Sequence, residues 1–487
     1  MFENDFWIFC YFYLLIQVPY ADFYPDLHQV FHYCVCMEQL HEHIPVPNAA
    51  AEAISRLERA GHSAWIVGGY VRNALLGIES EDIDIATSAP CEQTARLFSD
   101  AGFRTVPTGM EHGTATVFID GVPCEITTYR TEGGYSDGRH PDRVRFTDSI
   151  EADLARRDFT VNAIAYHPDR GILDPFRGTD DLSEGIVRAV GDPRERFSED
   201  GLRVLRCIRF ASQLDFDIET NTQKAATACA GMLDRISSER IEREFRKTLC
   251  GKAAARIIMQ QMGIIGSFIP EALPLVGLDQ RSPHHMYDAL EHTARTVELK
   301  PPTPVLRYAA FLHDIGKPAS MTIDETGRGH FKGHPELSAN MARSILERLR
   351  LSRQEIKRIC LLVRLHDLQV PITPYGAKHL LGMADNDPEA FRELCALKKA
   401  DALSHAPNHR ERARQADELK TILEAILENN EAYRIRDLAI NGTDLLGMGI
   451  EAGPELGRIL AETLEDVIAE NIPNERESLL RFIAQKL

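Results

Sequence analysis

The sequence has no CxxC pair, no apolar run long enough to span a bilayer, no internal repeat, no low-complexity stretch and no surplus of positive charge. Its ten cysteines, at 10, 34, 36, 91, 124, 207, 229, 250, 360 and 395, are scattered. That spacing excludes a zinc ribbon or a disulfide frame and fits free thiols in a reducing, cytoplasmic setting. The densest apolar segment, Phe6 to Val18 (FWIFCYFYLLIQV), has thirteen residues. A bilayer span needs about twenty. Glu3 and Asp5 precede the segment and no Lys or Arg does, so it lacks the basic start of a signal peptide. No other segment reads as transmembrane, and no membrane partner is expected. The chain carries 55 basic and 73 acidic side chains, a formal charge of −18. An acidic chain is a poor global partner for phosphate, so any RNA site must come from local arginine clusters.

What is present is an ordinary globular composition, 44% hydrophobic over 487 residues, enough for roughly three domains. The soluble pattern begins near Met37. The expectation is that translation starts there and that residues 1–36 are a spurious or disordered extension. Ala51, Ile54, Leu57 and Ala60 fall at helical spacing, and Gly61 stops that helix. Strand signals follow at 64–67, 83–87, 114–119 and 123–129, with a helix over 91–101. Beyond about residue 180 strands nearly vanish. Helices are predicted over 199–215, 237–250, 285–299, 304–315, 335–350, 352–366, 388–402 and 409–428, with proline-marked turns at 301–304 and 371–374. The fold class is α+β, a mixed-sheet head on a long helical body.

Gly68-Gly69-Tyr70-Val71-Arg72 follows an apolar strand and opens a helix. Glycines there let backbone amides approach a phosphate, and a helix N-terminus favours an anion. By itself a glycine pair after a strand also describes an ordinary turn. Ten residues after Arg72 stand Asp82-Ile83-Asp84-Ile85. On a strand, i and i+2 share a face, so the aspartates project together while the isoleucines face the core. Paired carboxylates repel each other and favour a divalent cation between them; two acids on a solvated edge strand are the bland alternative. Glu125 in PCEITTYR weighs against that alternative, because a carboxylate on a central strand is costly unless paired or metal-bound. Asp82, Asp84 and Glu125 together are expected to hold two Mg²⁺ ions for phosphoryl transfer.

Read in order, WIVGGYVRNALLG…EDIDIATSA, EITTYRTEGGYSDGRHPDRVRF, DLARRDFTVNAIAY, DPFRGTDDL, RFSEDGLRVLRCIRFASQL and ISSERIEREFRKTL resemble the tRNA nucleotidyltransferase and bacterial poly(A) polymerase family. That family belongs to the polymerase-beta-like nucleotidyltransferases. The resemblance is dense over about residues 49–250 and weaker towards the C-terminus. It implies a nucleotidyltransferase head over 37–180, a helical neck over 181–255, a helical domain over 256–420 and a helical C-terminal body and tail over 421–487. It implies that Asp82 and Asp84 ligate the metal, with Glu125 the third catalytic carboxylate. Gly69 and Arg72 would touch nucleotide phosphates or sugar, and Arg157 the triphosphate. One departure stands out: where the family has Asp after the arginine of GGxVRD, this chain has Asn73, so that role is not carried over.

Glu199-Asp200-Gly201-Leu202-Arg203 resembles the family's nucleotide-selecting motif. Asp200 and Arg203 stand at i and i+3, neighbours on one helix face. Asp offers acceptors and Arg donors, a pair that suits the amino group and ring nitrogen of cytosine or adenine and rejects guanine and uracil. A surface ion pair of little energetic weight is the structural alternative. Arg203, Arg206 and Arg209 form a basic stripe with few nearby partners in sequence, and the resemblance places Arg206 and Arg209 in the nucleotide site. Arg240, Arg243, Arg246 and Lys247 form a second stripe, for tRNA phosphates or a solvated face.

A second metal site is expected in the body. LRYAAFLHDIGKPA holds adjacent His313 and Asp314, with His292, His334, His366 and Asp401 on other segments. This resembles the HD-domain pattern, which binds one or two divalent ions and hydrolyses phosphate esters; His and Asp together suit a transition-metal ion. The leading expectation is template-independent addition of C, C and A to the 3′ end of tRNA from CTP and ATP, releasing pyrophosphate. Alternatives are a poly(A) polymerase, an A-only or CC-only enzyme of the same family, and, from other classes, an HD phosphohydrolase or an RNA-binding protein with a dead head.

Overall fold

The computed structural model describes residues 44–109, 113–133, 143–282, 286–298, 302–407 and 410–486. The expectation for 1–36 lies outside these residues, as does most of the loop segment that follows EITTYR. The described chain forms two compact units that divide between Asp192 and Pro193.

The two sheets lying within the first unit use nine of its described strands: β1 (Ala64–Val67), β2 (Ile83–Thr87), β3 (Arg104–Gly109), β4 (Thr114–Ile119), β5 (Val122–Thr128), β6 (Arg130–Gly133), β7 (Arg143–Phe146), β8 (Ala165–His167) and β9 (Gly171–Leu173). Seven of them form one mixed sheet in the order β3-β4-β5-β2-β1-β8-β9, and β6 pairs with β7 separately. Strands β2 and β5 run parallel; β1 is antiparallel to both β2 and β8. The β4–β5 hairpin turns on Asp120 and Gly121, both at positive φ (51° and 82°), the backbone that a two-residue Asp-Gly turn supplies. Every residue of β1 is buried, as its unbroken apolar run requires. Trp65, Val67, Ala86, Tyr129, Ile150 and Leu154 share one core cluster. The helix Asn48–Arg59 buries Ala49, Ala50, Ala53, Ile54 and Leu57 along one stripe.

The second unit is almost entirely helical. Expected helices appear as Ser238–Leu249, Pro304–Leu312, His334–Arg348, Arg353–Leu365, Pro388–Leu403 and Glu411–Glu428. Ser352 and Glu355 form a reciprocal capping box that starts one of them. The single helix expected over 199–215 is two: Pro193–Glu199 and Leu202–Leu214, broken at Asp200-Gly201. Within segments expected to be helical, helices whose ranges were not individually predicted include Thr220–Cys229, Ala254–Gln260, Pro374–Met383, Pro454–Ile468 and Arg476–Lys486. Among the described residues no helix is long and apolar enough to cross a membrane.

Candidate active site and a second candidate metal centre

In the first unit the site is set by strand register. Asp84 on β2 lies directly opposite Glu125 on parallel β5, and adjacent strands stand about 4.8 Å apart. Asp82 immediately precedes β2, and Ile83 and Ile85 are buried beneath it. Strand β5 is central, between β4 and β2. Glu125 itself is exposed on the sheet face, so the desolvation expected of it falls on Asp84 instead. Burial first, then the charges of Glu125 and Asp82, push the Asp84 carboxyl up to about 6, with Arg157 opposing them. Three oxygen-bearing acids with one half-buried and electrostatically crowded are the donor set a hard divalent cation takes.

Gly68 links β1 to this group. Its φ is +71°, and a Cβ there would stand 2.8 Å from Arg157 Nη1 and 3.6 Å from Asp84 Oδ2. The glycine therefore makes room for Arg157 beside the carboxylates. Arg157 Nη2 donates to Asp153 Oδ2 at 3.3 Å, while its Nε is buried without a hydrogen-bond partner. Asp153, only 1% exposed, also receives Arg156 Nε at 2.9 Å. Arg72 is held on both sides. Its Nη1 donates to Asn162 Oδ1 at 2.5 Å. Asn73 Oδ1 accepts from its Nε and Nη2 at 3.1 and 2.8 Å. Asn162 Nδ2 in turn donates to Asp158 Oδ1 at 3.0 Å. Asn73 thus clamps the arginine fork through neutral acceptor bonds. Asp153, Asp158 and Asn162 were not foreseen. They lie inside DLARRDFTVNA; Asp153 holds its own neighbours Arg156 and Arg157, whereas the Asn162–Arg72 bond joins segments 90 residues apart.

In the second unit, Asp200 stands before the helix Leu202–Leu214 and accepts from Leu202 N at 3.0 Å. It is 3.3 Å from Arg240 Nη2. Arg203 is paired with Glu199 and donates to the carbonyl of Arg196 at 2.9 Å. The Arg203–Arg206–Arg209 stripe is less open than the sequence suggested. Arg203 and Arg209 are buried, and Arg209 Nε lies 2.9 Å from Glu244 Oε2. Both Arg206 and Arg209 lie over the Phe210 ring, at 5.5 and 4.1 Å. In the second stripe, Arg246 pairs with Glu242 and with Glu355 at 2.5 and 2.7 Å, whereas Arg243 and Lys247 are exposed.

All six expected ligands of the body centre converge. His292 comes from the helix Ala289–Val297, and His313 and Asp314 from just past Pro304–Leu312. His334 opens the helix His334–Arg348, His366 follows Arg353–Leu365, and Asp401 lies on Pro388–Leu403. All are buried. Nδ1 of His313, His366 and His334 faces a backbone carbonyl at 2.7, 2.7 and 2.8 Å. This fixes Nδ1–H as donor and leaves Nε2 to act as a ligand atom. His292 Nε2 stands 3.3 Å from His313 Nε2, and His334 Nε2 stands 3.3 Å from His366 Nε2. Two such ligand groups, His292–His313–Asp314 and Asp314–His334–His366, share Asp314.

Both Asp314 oxygens are buried without a well-formed hydrogen bond, although Lys317 Nζ stands 2.6 Å from Oδ2. Burial, then the His313 charge, takes His366 down to about 3. Burial also disfavours charge on His313, but Asp314 and Asp401 outweigh it and hold that ring at about 10. His405, not foreseen, adds a third group with His292 and Asp401, its Nε2 3.2 Å from Asp401 Oδ1. Its signal was the i, i+4 spacing from Asp401 on a helix end.

The carboxylates on a mixed sheet, flanked by a glycine turn and held arginines, define a nucleotidyltransferase head. Comparison with known proteins agrees. Residues 64–188 match the poly A polymerase head domain, 215–275 the probable RNA- and SrmB-binding site of polymerase A, and 334–483 a putative tRNA nucleotidyltransferase domain 2. The CCA-adding enzyme of Levilactobacillus brevis is 34% identical over 447 residues, 91% of this chain and 99% of that protein. That of Streptococcus mutans is 33% identical over 452 residues, 91% and 98%. The Bacillus stearothermophilus CCA-adding enzyme, solved in complex with CTP, superposes with a TM-score of 0.67 at 28% identity, covering 90% of this chain and 96% of that one. The chain belongs to the CCA-adding enzyme family and is a nucleotidyltransferase.

Proposed function

We propose that this protein builds the CCA end of tRNA, joining C, C and A to the 3′ terminus from CTP and ATP without a nucleic-acid template. The observation that carries the reading is the register of β2 against β5, which sets Asp84 beside Glu125 with Asp82 one step away. Relatives named as CCA-adding enzymes at 33–34% identity support it, as does a structural likeness to one solved with CTP.

The three carboxylates suit two Mg²⁺ ions: all donors are oxygen, and the crowding that lifts Asp84 to about 6 is what a cation relieves. When bound, magnesium supplies a lowered pKa for the attacking 3′-hydroxyl and charge for the leaving pyrophosphate. The chain's own residues do the rest. Arg157, anchored by Asp153, presents its guanidinium to the triphosphate. Arg72, gripped between Asn73 and Asn162, holds phosphate or sugar near the amide of Gly69. Attack by the 3′-oxygen on the α-phosphorus forms the new phosphodiester bond as the bond to pyrophosphate breaks. Asp200 and Arg203, with Arg206 and Arg209 behind them, choose the base by its donor and acceptor edge. The helices beyond them form neck, body and tail for tRNA. Free cysteines, including buried Cys91, Cys124 and Cys207, fit a cytoplasmic setting.

A second reading rests on the buried His/Asp centre. Its nitrogen-rich donor set suits one or two transition-metal ions rather than magnesium, and such a centre in a helical domain supports phosphate-ester hydrolysis. The two activities are expected to separate by mutation: Asp84→Ala should remove nucleotide addition and His313→Ala hydrolysis. The deciding experiment supplies tRNAs lacking CCA, ending in C, or ending in CC with CTP, ATP or both. Ordered growth that stops at CCA supports the reading. Long A tails make the protein a poly(A) polymerase, growth on one substrate alone makes it an A-only or CC-only enzyme, and no incorporation sinks the transferase.

A further inference from the structure

A cavity in the second unit lies beside the His/Asp centre: the carbonyl oxygen of Ser404, in its wall, stands 3.4 Å from His292 Nδ1. It has a volume of about 480 Å³ and is walled by the helices Ala289–Val297, Pro388–Leu403 and Glu411–Glu428. Arg295, Arg392, Lys399, Arg410 and Lys420 line it, against two carboxylates, Glu298 and Asp417. Five cations around one concavity are unexpected in a chain with a net charge of −18. Three of them are held in place from outside or along the rim. Arg392 pairs with Glu424 at 2.8 Å, Lys399 with Asp417 at 2.7 Å, and Arg295 with Glu291 at 2.8 Å. Arg410 and Lys420 have no carboxylate within ion-pair range among the described residues. Arg410 donates only to the carbonyl of His405 at 3.4 Å. Glu291, Glu298, Glu389, Asp417 and Glu424 balance Arg295, Arg392 and Lys399, so the donors left for an anion are those of Arg410 and Lys420.

The shape narrows the anion. Cavities of roughly 300–1,000 Å³ hold small ligands, and a hollow between three helices suits a compact molecule better than an extended strand. The Arg295 guanidinium lies 4.1 Å over the Tyr287 ring, a flat cationic surface on which a base stacks. We infer that this cavity binds a nucleoside mono- or diphosphate, its phosphates on Arg410 and Lys420 and its base against Arg295 and Tyr287. The inference does not depend on the reaction proposed above. Cys395 in the wall takes no chemical part, since burial pushes its thiol up to about 12.

Equilibrium dialysis of the full chain with labelled ADP tests this. Native protein is expected to bind two equivalents, one in the head and one here. Arg157→Ala should keep only the cavity's equivalent, and the double variant Arg410→Glu/Lys420→Glu only the head's, with CTP incorporation unchanged. A double variant that binds as many equivalents as native protein, whether that is one or two, overturns the inference. So does a double variant with weakened tRNA binding and unaltered ADP stoichiometry, because the cations then contact RNA. If the double variant also loses incorporation, and so has misfolded, Lys420→Gln decides: ADP bound at least about threefold more weakly at this site supports the cavity, and unchanged binding overturns it.

Discussion

Replacing Gly68 by alanine separates what the two adjacent glycines do. At Gly68 the φ of +71° with ψ of −130° costs an L-residue about 1–3 kcal/mol. The new Cβ would also stand 2.8 Å from Arg157 Nη1, whereas ordinary contact begins at 3.4 Å. The guanidinium must then retreat by about 0.6 Å, the difference between those two distances. A charge-assisted hydrogen bond to phosphate is worth about 1.5–3 kcal/mol, so losing one lowers kcat/KM for CTP about 10- to 100-fold. At Gly69 the nearest atom to a Cβ is Arg72 Nη2 at 3.8 Å and the residue is helical. Gly69→Ala is therefore expected to gain up to about 1 kcal/mol of stability and to keep kcat/KM within a few-fold. The assay is single-nucleotide incorporation on a tRNA lacking CCA, with thermal unfolding alongside. Equal losses for the two variants, or a Gly68→Ala enzyme within twofold of native, would refute the steric account of Arg157 placement.

The raised Asp84 carboxyl carries a sign that pH can check. Its folded value of about 6 lies above the ordinary 3.8, so the stability it contributes is present below about pH 4 and lost as pH rises through 6. In metal-free protein, Asp84→Asn should gain on native by about 1–3 kcal/mol between pH 4 and 7 while losing incorporation; a gap that narrows with rising pH refutes it. Lys398, half-buried and held down by desolvation to about 8 from 10.5, contributes stability that grows as pH rises through that interval, and Lys398→Met should flatten the growth in pH-dependent unfolding. Elemental analysis should find a transition metal in native protein and not in His292→Ala or His334→Ala; equal content in all three sinks the body centre. Asp200→Ala and Arg203→Ala should each reduce preference for CTP and ATP over GTP and UTP by about 10-fold or more, read from competition assays; unchanged preference would return the pair to a merely structural role.

The sequence by itself determined the local elements whose signals are short-range. An apolar run from 64 to 67, alternation through Asp82 and Asp84, and the period-3.6 stripe before Gly61 each specify a strand or a helix without help from the rest of the chain. It also determined which residues carry chemistry, because carboxylates, histidines and arginines at such spacings have few other uses. Tertiary structure decided the pairings. That Asp84 rather than Glu125 bears the desolvation follows from the Gly68 turn and Arg157 closing over Asp84 while Glu125 stays exposed. The basic stripe with few partners expected for Arg203 and Arg209 became buried ion pairs because Glu199 and Glu244 come to meet them. The helix expected through 199–215 broke where Asp200 turns its side chain to Leu202 N. Six His and Asp residues spread from 292 to 401 formed one centre only when five helices packed around it. Local propensity reads a few residues at a time, whereas burial, charge partners and ligand convergence are set by segments far apart in the chain, which only packing brings together.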